Sequence, residues 1–170
     1  MTRRVLVTGS RAWPSRKFVR SALNAQLAIA GKRGQGDLVV VQGECPSGAD
    51  LFASQWADEA MAKGFPVMNE GVPADWYRDC DQHCTHAVRW KNGTRYCPVA
   101  GHLRNQEMVD RGADTCIAFP LKDSRGTWDC MKRAERAGIS VTNFGYSGPL
   151  CSPPASYHVD PHTGPCALAR

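Results

Sequence analysis

The feature that most constrains the fold is an apolar run at 38–41, a leucine followed by three β-branched valines, that stops at a short loop with two glycines. After this loop, Phe52, Trp56 and Ala60 recur at four-residue spacing, which is typical of a helix. A strand, a tight loop and a helix start therefore follow one another. At such a junction free backbone N–H groups and the positive end of the helix dipole point at one place, which suits a phosphate. An ordinary strand-to-helix turn would give the same pattern.

The same unit recurs along the chain. A first apolar strand at 4–9 ends in Gly9-Ser10-Arg11, and a later one at 115–120 leads to a polar loop and another helix. Further strands are predicted at 65–69 and 140–144, the former near a sheet edge because of Pro66. Helices are predicted over 15–30, 51–63, 101–112 and 127–137. This alternation predicts an α/β fold, a Rossmann-like three-layer α/β/α sandwich with a mainly parallel five-stranded sheet.

The domain organisation follows from where the alternation fails. Residues 1–144 form the predicted Rossmann-like domain, and residues 75–98 form a small Cys-rich hairpin insertion within it. Residues 145–170 carry five prolines and no periodicity, so they are predicted to be a tail without its own core.

Composition limits the partners. The chain has 170 residues and a formal net charge of +5, which fits an anionic small ligand. The basic residues are scattered along the chain, so we do not expect DNA as a partner. The apolar stretch after Arg3 and Arg4 is too short for a signal peptide or a membrane span, so we expect a cytoplasmic protein. Whether it forms a homo-oligomer is left open.

The insertion holds a candidate metal site. Asn92-Gly93 predicts a two-residue hairpin turn in which Lys91 faces Thr94 and Trp90 faces Arg95. Side chains two apart share a face, so the predicted ligands of a structural zinc ion are Cys80, Cys84, His86 and Cys97. Free thiols, or one disulfide such as Cys84–Cys97, are the alternatives.

Several phrases together resemble the YspA-like, cpYpsA-related branch of the SLOG superfamily, which also holds the LOG-type phosphoribohydrolases and the DprA/Smf proteins. In chain order they are Val7-Thr8-Gly9-Ser10-Arg11, the loop from Gly43 to Asp50, Ala74-Asp75-Trp76, the segment from Ala100 to Met108, Gly112-Ala113-Asp114 and Arg125-Gly126-Thr127. The resemblance covers residues 4–144. It implies a Rossmann-like fold that binds nucleotides or nucleotide-derived ligands.

The resemblance and the residue chemistry together give a candidate ligand site. Gly126 allows close approach of an anion, Thr127 can bond a phosphate oxygen, and Arg104 offers a planar fork. Arg104 could also be a solvated helix charge, and Asp50 could bond a ribose hydroxyl or simply favour a helix start. Trp13 or Trp76 could stack on a base, but packing in the core or in a lid is the favoured interpretation of each. The candidate ligand-binding residues are Gly9, Ser10, Arg11, Gly43, Ser47, Gly48, Asp50, Arg104, Asn105, Gly126 and Thr127.

The resemblance also suggests a hydrolytic activity. In the LOG-type enzymes an Arg-x-x-x-Met helix and a Pro-Gly-Gly-x-Gly-Thr-x-x-Glu loop form the active site. Arg104 and Met108 match the first motif, and Gly126 and Thr127 match the second in part. The Pro-Gly-Gly opening is replaced by Lys122-Asp123-Ser124, and the glutamate position holds Cys130. The candidate catalytic residues are Arg104, Glu107 and Asp129, and the alternative for Glu107 is a plain Arg–Glu surface pair. The leading hypothesis is a nucleotide sensor or sequestering protein; a nucleotide N-glycosidase and a DNA-associated module of the DprA/Smf type are the alternatives.

The replacement of the glutamate predicts binding with slow or no turnover, because a thiol of ordinary pKa is mostly neutral at pH 7 and poorly stabilises positive charge on ribose. A panel of nucleoside monophosphates incubated with the protein and assayed for free base tests this. Release at about 1 per second or faster would contradict it. Loss of that release in Glu107→Gln or Asp129→Asn would identify the substituting carboxylate.

Overall fold

The computed structural model describes residues 2–32, 34, 36–82, 84–145, 159–160 and 164–165. The main strands are β1 (Arg3–Gly9), β2 (Leu38–Gln42), β3 (Val67–Gly71), β6 (Thr115–Phe119) and β7 (Val141–Asn143); the insertion contributes β4 (Arg89–Lys91) and β5 (Thr94–Tyr96). The helices are α1 (Arg16–Lys32), α2 (Gly48–Ala62), α3 (Ala100–Asp110) and α4 (Arg125–Arg136).

The five main strands form one parallel sheet in the order β3-β2-β1-β6-β7. This confirms the predicted sheet and fold class, and it places β3 at an edge. The strand β3 lies two residues further along the chain than predicted. The largest difference is at the start of α2, which begins at Gly48, three residues earlier than predicted, and α4 begins at Arg125, two residues earlier. Those first turns contain glycine and polar residues, so they carry no apolar periodicity that the sequence could reveal.

The core lies on both faces of the sheet because successive side chains of β1 point to opposite faces. Val5 and Val7 pack toward α1 and α2 in one cluster, whereas Leu6 packs with Met108 and Val109 of α3 in the other. All of these side chains are buried. Such alternation in a strand with two covered faces gives the sandwich its three layers.

Four aromatic rings close the first cluster beneath the carboxyl end of the sheet. Trp13, Phe18, Phe119 and Phe144 lie with neighbouring ring centroids 5.4–6.0 Å apart. Trp13 is only 5% exposed. Trp13 is therefore a core residue, and the interpretation that it could stack on a base is wrong for this residue.

The strand order creates a switch point beside β1. The chain leaves β1 toward β2 on one side, and the later crossover brings β6 to the other side. The loops after β1 and β6 therefore diverge and leave a crevice between them, the place where open α/β sheets bind ligands.

The insertion forms the predicted hairpin. Trp90 pairs with Arg95 and Lys91 with Thr94, and both turn residues, Asn92 and Gly93, have positive φ as a two-residue hairpin turn requires. The paired residues extend to Arg89 and Tyr96. Cys97 lies beyond them and donates its amide to the carbonyl of Trp76 at 2.8 Å.

Most of the predicted tail lies outside the described residues. Of residues 145–170, the structure describes residue 145 and a short antiparallel pair, β8 (Val159–Asp160) with β9 (Gly164–Pro165). Over the described part of the chain, no helix is long and apolar enough to cross a membrane.

Replacing Phe119 by Ala should lower the free energy of unfolding by about 3–5 kcal/mol, because this fully buried ring contacts three other aromatic rings. Urea denaturation measures the change. The control is Phe65→Ala. The Phe65 side chain is 51% exposed, so its replacement should change the free energy of unfolding little. Equal effects of the two substitutions would contradict this account of the core.

Candidate functional site

A cavity of about 1400 Å³ lies at the switch point. Two groups of lining residues follow β1 and β6, and a third comes from the first turns of α3. Trp76 and Pro98, at the two ends of the insertion, form a further part of the wall. The cavity is large enough for a nucleotide, since small-molecule sites usually measure about 300–1,000 Å³.

The structure brings together most of the predicted ligand-binding residues. Those that line the cavity are Gly9, Ser10, Arg11, Asp50, Arg104, Asn105, Gly126 and Thr127. The other three, Gly43, Ser47 and Gly48, do not line it. For these three the structure does not support direct ligand contact.

Two of these excluded residues serve packing instead. Gly48 has φ +72°, and a side chain there would collide with the backbone of Ser10 and Arg11. A side chain at Gly43 would occupy the space of the Arg104 guanidinium. Glycine is therefore needed at both positions so that the loops after β1 and β2 and the α3 side chain can approach each other.

Arg104 is held from several directions. Its Nη1 donates to the Gly43 carbonyl and lies 3.9 Å from Asp50 Oδ2, and its Nε donates to Asn105 Oδ1 at 3.2 Å. The side chain is 11% exposed. The alternative of a solvated helix charge is therefore wrong: Arg104 is a fixed, mostly buried cation in the cavity wall.

Asp50 is a buried carboxyl group in the cavity wall, and one of its two oxygens lacks a hydrogen-bond partner. The residue is 5% exposed, and its Oδ1 has no hydrogen-bond partner among the described residues. Burial raises the pKa of the Asp50 carboxyl, although the Arg104 guanidinium opposes the rise. Buried polar atoms are normally paired, so an acceptor left open in a cavity wall points to a donor on a ligand.

The first turn of α4 faces the cavity through Gly126 and Thr127. Its N-terminal dipole favours an anion there. The charged side chains in the lining are four cations, Arg11, Arg104, Lys122 and Arg125, and two carboxylates, Asp50 and Asp123. The site therefore has an excess of positive charge, which suits a phosphate-bearing ligand.

Asp129 organises the contact between α3 and α4 just behind the wall. Its Oδ2 accepts hydrogen bonds from Asn105 Nδ2 at 3.0 Å and Arg133 Nε at 2.9 Å, and His102 Nδ1 lies 3.0 Å away. Burial would raise the pKa of Asp129, but the bonds from Arg133, His102 and Asn105 lower it to about 2. Asn105 also donates to the Gly126 carbonyl, so Asp129 fixes the loop that begins α4.

The other two residues considered for hydrolysis present no carboxylate to the cavity. Cys130 is fully buried, and burial raises the pKa of its thiol to about 11, so it is neutral at pH 7. Glu107 lies outside the cavity lining, and its carboxylate pairs with Arg111. The structure therefore gives Glu107 no contact with a ligand in the cavity, which counts against the catalytic hypothesis for that residue.

Sequence reasoning missed several lining residues, among them His102, Cys45, Lys122 and Arg125. His102 is the most informative, since its Nδ1 is buried against Asp129 while the side chain is 44% exposed. The sequence carried a weak signal for it, namely its position two residues before Arg104. Its role depends on α3 packing against α4, which spacing alone does not reveal.

The four predicted metal ligands form one cluster. The ligand atoms of Cys80, Cys84, His86 and Cys97 all lie within 4.8 Å of one another. Three of the spacings are 3.5 Å (Cys80 Sγ to His86 Nε2), 3.6 Å (Cys97 Sγ to His86 Nε2) and 3.9 Å (Cys84 Sγ to Cys97 Sγ). Ligands about 2.3 Å from a central ion in tetrahedral geometry are about 3.8 Å apart, so the cluster could hold a metal ion.

The surroundings of the cluster fit that role. His86 Nδ1 lies 2.9 Å from the Ala87 carbonyl, which leaves Nε2 facing the sulfur atoms. Arg78 Nη1 lies 3.2 Å from Cys84 Sγ. All four side chains are present as free thiols or imidazole, so the structure does not contain the alternative Cys84–Cys97 disulfide.

Comparison with known proteins identifies the family. A sequence profile of the YspA, cpYpsA-related SLOG family matches residues 3–78. The Gene 61 protein of Mycobacterium phage D29 is 45% identical over 143 residues, which are 84% of this chain and 97% of that protein. The chain therefore belongs to the YspA, cpYpsA-related SLOG family.

A solved structure shows the same fold. DNA processing protein A (DprA) of Streptococcus pneumoniae matches with a TM-score of 0.57 and 19% sequence identity. The match covers 87% of this chain but only 52% of the DprA chain, so this protein spans about half the length of that structure. At this identity the likeness concerns the fold alone.

Asp129 should stabilise the protein only while it is ionised. Its pKa lies below the ordinary value of 3.8, so its contribution is fully present above about pH 4 and is lost as the pH falls through about 2. Comparing the unfolding midpoints of wild type and Asp129→Asn in urea over this range should show a difference that shrinks toward pH 2. Because other groups titrate in both proteins, a difference that stays constant would contradict the assigned pKa.

Proposed function

We propose that the protein binds a nucleotide or nucleotide-derived ligand at the carboxyl edge of the sheet and acts as a sensor or sequestering protein. The observation that carries the proposal is the buried, unpartnered Oδ1 of Asp50 beside the fixed guanidinium of Arg104. An acceptor suits a ribose hydroxyl, and a neighbouring cation suits a phosphate. Family membership and fold agree with this proposal.

The rest of the cavity supplies complementary groups. Gly126 and Thr127 offer a helix N-terminus for a phosphate, as the sequence predicted. Trp76 lines the cavity, with the Arg11 guanidinium 5.8 Å from its ring centroid. A base could stack on this ring, so the bound nucleotide would extend from α4 toward the insertion.

Binding without hydrolysis is favoured over the N-glycosidase alternative. The position of the LOG-type glutamate holds the neutral thiol of Cys130, and the Asp129 carboxylate is occupied by three side chains. Of the described carboxylates, Asp50 and Asp123 line the cavity, and Asp50 is the one beside Arg104. Asp50 is thus placed for recognition of a ligand hydroxyl.

Replacing Arg104 by Ala should weaken binding by about 1.5–3 kcal/mol, or roughly 10- to 150-fold, because it removes a charge-assisted hydrogen bond to phosphate. Isothermal titration calorimetry with a panel of nucleoside mono- and diphosphates measures the loss. Arg111→Ala is the matched control, since Arg111 follows the same helix but pairs with Glu70 and Glu107 outside the cavity. Equal affinity of Arg104→Ala and Arg111→Ala would contradict the proposed site.

We further propose that the Cys₃His cluster holds one structural zinc ion. Three thiolates and one imidazole in roughly tetrahedral spacing are the donor set that zinc prefers. The insertion needs a bound metal for stability, because it has little apolar core of its own. Two of its apolar side chains, Val88 and Trp90, are more than half exposed. The free thiols also support a reducing compartment, the cytoplasm.

Protein purified without chelator should contain about one zinc per chain by elemental analysis. Cys84→Ser should lose most of the metal, because it leaves three of the four ligands. Cys45→Ser should retain it, since Cys45 is a free thiol outside the cluster. Metal-free wild-type protein whose melting temperature is unchanged by a chelator would rule out a structural zinc.

A further inference from the structure

The hairpin formed by β4 and β5, residues 89–96, projects an unusual surface that the cavity does not use. Trp90 is 66% exposed, the highest exposure of the described tryptophans. Residues 89–95 are all exposed. An exposed tryptophan offers a ring face on which a base can stack, and this one stands on a hairpin whose base holds the metal-ligand cluster.

The charge of this hairpin is entirely positive. Arg89, Lys91 and Arg95 lie within seven residues, and residues 87–97 contain no Asp or Glu. Among the described residues, none of these three side chains forms a salt bridge. The cations are therefore available to an external polyanion.

The register puts the aromatic ring beside a cation. Trp90 and Arg95 are directly opposite in the antiparallel pair, so their side chains are neighbours on one face. Arg89 and Lys91 flank Trp90 along β4 on the other face. A base stacked on Trp90 would bring its own phosphates within reach of these cations.

We propose that this hairpin binds single-stranded nucleic acid. A ring with neighbouring cations matches the alternating bases and phosphates of a nucleic-acid strand. Any base can stack on the ring, and the cations can pair with the phosphates of the strand. A duplex would offer the ring no exposed base face. The surface also has only one tryptophan among cations, rather than the broad apolar face that a membrane surface requires.

This proposal revises the expectation that DNA is not a partner. Counted over the whole chain the basic residues are scattered, but the hairpin concentrates three of them around one ring. The proposal does not depend on the ligand in the cavity, because none of residues 89–96 lines it.

The test is fluorescence anisotropy of the full, metal-loaded chain with a labelled oligothymidylate of about 15 nucleotides. Binding should weaken with rising salt, and Trp90→Ala should reduce affinity roughly tenfold through lost stacking. Arg95→Gln should reduce affinity and flatten the salt dependence. Phe65→Ala and Arg136→Gln, which change an exposed aromatic and a cation elsewhere, should bind like wild type.

Other outcomes would overturn the proposal. Absence of binding at low salt would do so, as would equal affinity of Trp90→Ala and wild type. Equal competition by a polyglutamate peptide or by duplex DNA would show a general polyanion surface. If Arg104→Ala rather than Trp90→Ala abolished binding, the strand would lie in the cavity, and the hairpin would not be the binding surface.

Discussion

The contact on which the candidate site depends is that of Arg104 with the Gly43 carbonyl and Asp50. A guanidinium this deeply buried must be neutralised and hydrogen-bonded, because desolvating an unpaired charge is costly. The contact joins α3, the loop after β2 and the start of α2. It also leaves Asp50 Oδ1 buried without a hydrogen-bond partner, in a residue that lines the cavity.

The sheet topology determines which loops can use that arrangement. Because β1 is central and β6 lies beside it, the loops after these two strands face the crevice. The loop after β2 lies on the side of β1 away from β6, and its glycines let backbone and Arg104 pack closely. Glycine-containing loops thus form part of the cavity wall after β6 and serve packing after β2.

The fold could be predicted from the sequence because it rests on local periodicity. The β-branched runs, helical spacings and Asn92-Gly93 turn each report their own element, and the four metal ligands lie within 18 residues of one another. The site was harder to predict from the sequence because it combines segments that are distant in the chain. Gly43 and Gly48 matched a phosphate loop but pack against Arg104 and the loop after β1.

The contacts of two further residues could not be predicted from spacing in the sequence. Asp129 lies one position from the expected carboxylate, and the structure shows it bonded to Asn105 and Arg133 instead of open to the cavity. His102 lies beside Asp129 only because α3 packs against α4. Such interactions depend on tertiary geometry, and no local pattern in the sequence specifies them.

Because Trp76 and Pro98 line the cavity, the insertion is part of the proposed site and not only an appendage. The amide of Cys97 donates to the Trp76 carbonyl, so one metal ligand is bonded directly to the residue that forms this wall. A metal bound at the cluster would therefore restrain the wall where a base is proposed to stack.

The central claim is that the cavity selects a phosphate-bearing nucleotide through Arg104. Mass spectrometry of small molecules released from natively purified protein tests it most directly, with Arg104→Ala purified in parallel. We expect a phosphate-bearing nucleotide or its derivative in the wild-type sample and a strongly reduced amount in the variant. A released compound without phosphate, or equal amounts of one compound from both proteins, would contradict it.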